Sequence, residues 1–167
     1  MEPQRDLTDR PMTAPQVLEE IFLNDGCTLE VSENEIYPTS FSRYSEAYAV
    51  AMFVGDDLRI PNYYAVDDEI IHQIIIGFKN HITKVQESMK PRTNIYFGGW
   101  IDDANDKNDL VFDVVEVVYD LGWAIEKAIE RGQDAIFDLI NFVEIKDKDI
   151  ITTKYISWSN VLNGGDE

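Results

Sequence analysis

The stretch that decides the fold runs from residue 94 to residue 119: NIYFGGWI at 94–101, DDANDKND at 102–109 and LVFDVVEVVY at 110–119. Both flanks are rich in aromatic and β-branched residues, which suit a pleated, half-buried surface, and the middle is polar. The segment therefore reads as a β-hairpin with a long acidic tip. A helical signal follows at once. Leu121, Ala124, Ile125, Ala128 and Ile129 form one apolar face, Glu126, Lys127, Glu130 and Arg131 turn outward, and Gly132 is placed to cap the end. Residues 135–139 (AIFDL) make a further strand, as do residues 150–158. Asp138 takes an outward strand position in this reading.

Upstream, Thr13 looks like an N-cap, with Pro15 in the first turn and Val17, Leu18, Ile21 and Phe22 on one face of a short helix that Asn24-Asp25-Gly26 stops. Strands follow at 27–31 and 46–54, the latter alanine-rich enough for a helix to compete. The firmest helix spans 67–89. Ile70, Ile71, Ile74, Ile75, Phe78, Ile82, Val85 and Met89 keep helical spacing, Asp67, Asp68 and Glu69 sit where the helix dipole favours anions, and Pro91 ends it. Gly77 is its weak point, placed as if a neighbouring backbone approached. The expected fold is α+β: a mostly antiparallel sheet with two or three helices packed on it. Residues 1–12 read as a flexible arm and 13–167 as a single domain, with a possible subdivision near 91–94.

Three segments of this pattern, residues 96–102 (YFGGWID), 113–118 (DVVEVV) and 132–139 (GQDAIFDL), resemble a module of short uncharacterised proteins from actinobacteria and their phages or mobile elements. The resemblance covers about a third of the chain. It implies a phage or prophage accessory protein and transfers no catalytic residue.

Composition limits function more than any motif does. The 167 residues hold 32 Asp and Glu against 14 Lys and Arg, a formal charge of -18, with 44% hydrophobic residues. Such a chain folds rather than remaining an acidic coil, and its field repels nucleic acid and anionic membrane while attracting basic surfaces. The N-terminus lacks the apolar core of a signal peptide, no apolar run is long enough to span a membrane, and Cys27 is the only cysteine, so a reducing cytoplasm is expected.

The acid is uneven. Residues 17–78 carry twelve acidic residues against Arg43 and Arg59, and residues 95–126 carry eight against Lys107, separated by a basic island of Lys79, Lys84, Lys90 and Arg92. Clusters fall at turns or element ends: Glu30/Glu33/Glu35, Asp56/Asp57, Asp67/Asp68/Glu69 and Asp102/Asp103/Asp106/Asp109. Carboxylates at such spacings approach the repeat of backbone phosphates. The expected function is an acidic inhibitor that mimics nucleic acid and blocks the DNA- or RNA-binding groove of a host defence enzyme, a restriction or CRISPR effector. The alternative is an acidic immunity or adaptor protein that binds one basic partner by shape.

The expected contact residues are Asp56, Asp57, Asp67, Asp68, Glu69, Asp102, Asp103, Asp106 and Asp109, with Tyr63 and Tyr64 as an aromatic pair suited to arginine. No enzymatic chemistry, cofactor or metal is expected. Counting an EF-hand from Asp103 puts Lys107 at a ligand position, Asn108 where glycine is needed and Val114 where glutamate belongs. His72 and His81 are nine residues apart and miss a common helical face. Gly98-Gly99 lies inside a strand, where a bulge or a close backbone approach explains it better than a phosphate loop. Asp113 and Glu116, three apart on a strand, face opposite ways, and Trp100, Trp123 and Trp158 are expected in the core.

Overall fold

The hairpin anticipated between residues 94 and 119 is the centre of the structure, a computed structural model that describes residues 10–53, 57–89, 95–103, 108–133 and 135–145. In chain order the elements are α1 (Ala14–Asn24), β1 (Gly26–Ser32), β2 (Glu35–Tyr37), β3 (Tyr48–Ala51), β4 (Leu58–Ile60), a 3₁₀ turn (Tyr63–Ala65), α2 (Asp68–Ser88), β5 (Tyr96–Asp102), β6 (Asp109–Val118), α3 (Leu121–Glu130), β7 (Ile136–Asp138) and β8 (Val143–Ile145). Every described strand register is antiparallel, so the α+β class is as expected. The anticipated strand at 150–158 lies outside the described residues. Among the described residues, no helix is long and apolar enough to cross a membrane.

The chain divides into two compact units, residues 1–40 with 55–115, and residues 41–54 with 116–167. In the first, the strand order is β2-β1-β5-β6, and β4 pairs with β6. Leu29, Phe97 and Val114 are cross-strand partners in the registers of β1, β5 and β6, and all three are buried. Phe97 and Phe112 pack against Phe78 of α2, with ring centroids 5.5 and 5.9 Å from it. Ile71, Ile75, Phe78 and Ile82 form the buried stripe of α2, each worth about 1.5–3 kcal/mol of apolar transfer. The stripe is rotated from the one expected. Ile70 is 55% exposed, while Gln86 is buried and donates from Nε2 to the carbonyls of Val31 (2.9 Å) and Ile95 (3.3 Å).

Capping explains the helix starts. Thr13 and Gln16 form a reciprocal capping box on α1, and the side chain of Asp67 accepts from the Glu69 N–H at 2.9 Å at the start of α2. The β1–β2 turn is a two-residue loop in which Glu33 and Asn34 both have positive φ, the type I′ geometry that matches strand twist. Thr83 of α2 donates to the Asn34 side chain at 2.8 Å and pins this turn. Two glycines answer the sequence differently. A Cβ at Gly99 would lie 2.7 Å from Ile21 Cδ1 of α1, so the close neighbour is a helix side chain over an unbulged strand rather than the bulge or backbone approach expected. Nothing lies within 4 Å of the Cβ position at Gly77; no backbone approaches it, and the expectation there is overturned.

In the second unit, β6 adjoins β3 in the order β3-β7-β8. Tyr48, Val50, Val118, Ala124, Ile125, Ala128 and Ile136 make its core. The end of α3 is a Schellman motif, with Gly132 at φ 66 and the Gln133 N–H donating to the Ala128 carbonyl at 2.8 Å. Asp138 corrects the sequence reading. It is buried, with Oδ1 accepting from the N–H groups of Ile140 and Asn141 and Oδ2 accepting from the Asn141 amide, because the carboxylate itself turns the chain from β7 into β8. Trp123 is 54% exposed, contrary to the core position expected; the apolar face of α3 is carried by Ala124, Ile125 and Ala128 instead.

Candidate functional site

Strand parity gathers part of the acid. Arg59 lies opposite Val111, which also lies opposite Trp100, and Asp102 lies opposite Asp109. Side chains alternate along a strand, so Asp57, Arg59, Trp100, Asp102, Asp109 and Val111 all belong to one face. Asp102 and Asp109 thus meet as like charges across the hairpin, an arrangement that costs stability unless it is neutralised. Arg59 neutralises it. Its Nη1 contacts Asp102 at 2.9 Å and Asp109 at 3.2 Å, and its Nε contacts Asp57 at 2.8 Å. The hydrogen bond to Asp102, followed by those to Asp57 and Asp109, holds the guanidinium proton more tightly than in a free arginine despite partial burial. Three carboxylates on one guanidinium leave two formal negative charges in a fixed place.

Beside this clamp lies the 3₁₀ turn, whose Tyr63 N–H donates to the Asn108 carbonyl at 3.2 Å. Tyr63 and Tyr64 differ in exposure. Tyr63 is buried, stacked on Phe22 of α1 at 5.6 Å, whereas Tyr64 is 72% exposed and lies against Tyr63 at 4.3 Å. Burial pushes the Tyr63 hydroxyl up to about 12, helped by its hydrogen bond to Tyr64, by repulsion between the two phenolates were both ionised, and by the charges of Asp103 and Asp25. Asp25 caps the end of α1, three residues after Phe22, and Asp103 follows the Asp102–Asp109 pair beside Asn108.

The acids at the start of α2 form a separate group. Asp67 is the N-cap, Asp68 and Glu69 occupy the first turn, and all three are exposed. Glu69 is within 3.8 Å of His72 and accepts from the Gln73 amide at 3.3 Å. A shallow open groove of about 450 Å³ runs past Glu69, His72 and Lys79 toward Thr13 and Glu35. Asp56 and Asp106 lie outside the described residues. The proposed contact residues therefore fall into a clamped set (Asp57, Asp102, Asp109), an acid bordering the aromatics (Asp103) and a helix-start set (Asp67, Asp68, Glu69).

Reading the sequence alone missed Arg59, Phe22 and Asp25. The available signal for Arg59 was its isolation, since residues 44–78 contain no other Lys or Arg. Among the described residues, no group of three or more His, Cys, Asp or Glu is placed to hold a metal ion. The Cys27 thiol is pushed up to about 12 by burial first and the Glu20 charge second, which makes it a poor nucleophile at neutral pH. In the second unit, Glu116 pairs with Arg131 at 2.7 Å and Lys127 at 3.4 Å, and Glu46 accepts from both the Tyr48 hydroxyl and the Leu121 N–H at 3.2 Å. These acids serve the fold. No family model, curated protein or solved structure matches the chain.

Proposed function

We propose that this protein binds a basic protein surface, and that it does so as a mobile-element inhibitor occupying the groove in which a restriction or CRISPR effector holds nucleic acid. The observation that carries this reading is the concentration of charge. The described residues of the first unit hold fifteen acidic side chains against four basic ones, including the exposed Asp25, Asp67, Asp68, Glu69 and Asp103. A basic channel that neutralises phosphates by releasing counterions gains in the same way from fixed carboxylates, so the two ligands compete. Asp57, Asp102 and Asp109 play a different part from the one first assigned. Held by Arg59, they offer a net-negative edge, while Asp67, Asp68, Glu69 and Asp103 are exposed to solvent and open to a partner.

The test uses purified restriction nucleases and CRISPR effectors with their DNA substrates. The protein should inhibit DNA binding by one of them, with an affinity that falls steeply as salt rises. Replacing Asp67, Asp68 and Asp103 by Asn and Glu69 by Gln should weaken inhibition at least tenfold and flatten the salt slope. Full inhibition by that variant would refute the mimic.

One observation favours the runner-up, an immunity or adaptor protein that recognises a basic partner by shape. Three of the anticipated contact acids are engaged by Arg59, and an exposed aromatic, Tyr64, lies against Tyr63. A partner that a DNA duplex fails to displace would favour this second reading.

A further inference from the structure

We infer that the Phe22–Tyr63–Tyr64 stack is a docking point for an arginine-bearing segment of the partner protein, with Tyr64 supplying the stacking face and Asp25 and Asp103 the flanking charge. The inference rests on the reading of the protein as a binder of basic surfaces, and it names the chemistry by which one site does so.

Exposed apolar residues scattered singly need no explanation, but these are continuous and supported. Phe22 is 42% exposed and stacked at 26° on Tyr63, and Tyr64 continues the stack at 31°. Leu23, the next residue on α1, is 72% exposed, as is Tyr64. Tyr63 is the fixed member, buried and tied through its N–H to Asn108. Tyr64 therefore lies tilted against a fixed ring while most of its own surface remains exposed.

Charge chooses the occupant. Asp25 is the C-cap of the helix that carries Phe22 and Leu23, Asp103 follows the Asp102–Asp109 pair next to Asn108, whose carbonyl holds the Tyr63 N–H, and the described residues of this unit are strongly acidic. An aliphatic or aromatic partner alone would leave both carboxylates unpaired at the rim of the contact. A lysine would pair with a carboxylate but is a compact, strongly hydrated charge. Arginine satisfies both features, since its planar, weakly hydrated guanidinium stacks on an aromatic face while its edge donates to carboxylates. Its aliphatic stem and neighbouring apolar side chains would cover Phe22 and Leu23.

The experiment compares two labelled twelve-residue peptides, one of arginine, leucine and serine and one of lysine, leucine and serine, matched in length and charge, by fluorescence anisotropy at low salt. The arginine peptide should bind about two- to fivefold more tightly for each stacked guanidinium. Tyr64→Ala should abolish that preference, and Tyr64→Phe should keep it. Because Tyr64 is exposed, circular dichroism should show both variants folded. Equal binding of the two peptides, or a preference that survives Tyr64→Ala, overturns the inference; if nuclease inhibition still depends on Asp67, Asp68, Glu69 and Asp103, the broader reading stands. Failure of both peptides to bind, together with no nuclease inhibition, overturns the two together. Concentration-dependent dimerisation lost in Tyr64→Ala, without arginine preference, would assign the stack to a second copy of this chain and overturn the inference.

Discussion

Replacing Gly99 by alanine tests the packing of α1 on the sheet. The new Cβ would lie 2.7 Å from Ile21 Cδ1, 3.2 Å from Ile21 Cγ1 and 3.3 Å from Phe97 Cε1. The first distance is sterically impossible without movement. Ile21 and Phe97 are both fully buried, so the methyl has no solvent to turn into. Overpacking of this kind costs about 1–3 kcal/mol, and relief of glycine's backbone entropy returns about 0.5–1 kcal/mol. The net loss should be about 1–2 kcal/mol, which for a chain of this size lowers Tm by about 2–8 °C. Ile21→Val removes the offending Cδ1 atom and alone costs about 0.5–1.5 kcal/mol. Urea unfolding of wild type, the two single variants and the double variant forms a cycle, and the double variant should be more stable than the sum of the singles by about 1 kcal/mol. A neutral or stabilising Gly99→Ala, or strict additivity with Ile21→Val, would refute the proposed seat of α1 on Gly99.

Three further outcomes follow from local geometry. Gly77→Ala should stabilise by about 1 kcal/mol in urea or thermal unfolding, because the site is exposed, helical and empty around the new methyl. Arg59→Ala should destabilise by about 1–2 kcal/mol at low ionic strength, summing three exposed pairs and the repulsion of Asp102 by Asp109, and the deficit measured by urea unfolding should shrink as salt rises. Tyr48 and Tyr63, each pushed from 10 to about 12, and Cys27, pushed from 9 to about 12, all favour the protonated form in the folded chain. The unfolded state releases these protons first, so their stabilisation is complete below about pH 9 and is lost as pH rises toward 12. Urea midpoints across that window should fall, and less steeply in Tyr48→Phe with Tyr63→Phe.

The sequence made the elements with strong local signals legible. The capping box at Thr13, the acids opening α2, the β5–β6 hairpin and the Gly132 end of α3 each carry their own instruction. Short strands did not, since β2, β4 and β8 have three residues each and exist through their partners. That gap hid the clamp, because placing Arg59 beside Asp102 and Asp109 requires knowing that β4 pairs with β6. Alternation also misjudged Asp138, whose acceptors serve the next turn, and helical spacing misjudged Gln86, which is buried because two carbonyls await its amide. The acids at 67–69 were legible as exposed because helix starts face water and favour anions. Tyr63 is set apart from Tyr64 by its stack on Phe22 and its N–H bond to Asn108, contacts no local spacing encodes.

The clamp also orders events in time. β5 and β6 are near neighbours along the chain, but Arg59 reaches Asp102 and Asp109 across sequence separations of 43 and 50 residues. Closing those longer loops is entropically slower to be rewarded, so the hairpin should form first, with two carboxylates facing each other at its turn end. Arg59 is then expected to engage after the rate-limiting step, as a latch on a structure already made. Its loss should leave the refolding arm of a chevron nearly unchanged and steepen escape from the native state, so that Arg59 governs how long the acidic edge lasts more than how fast it appears.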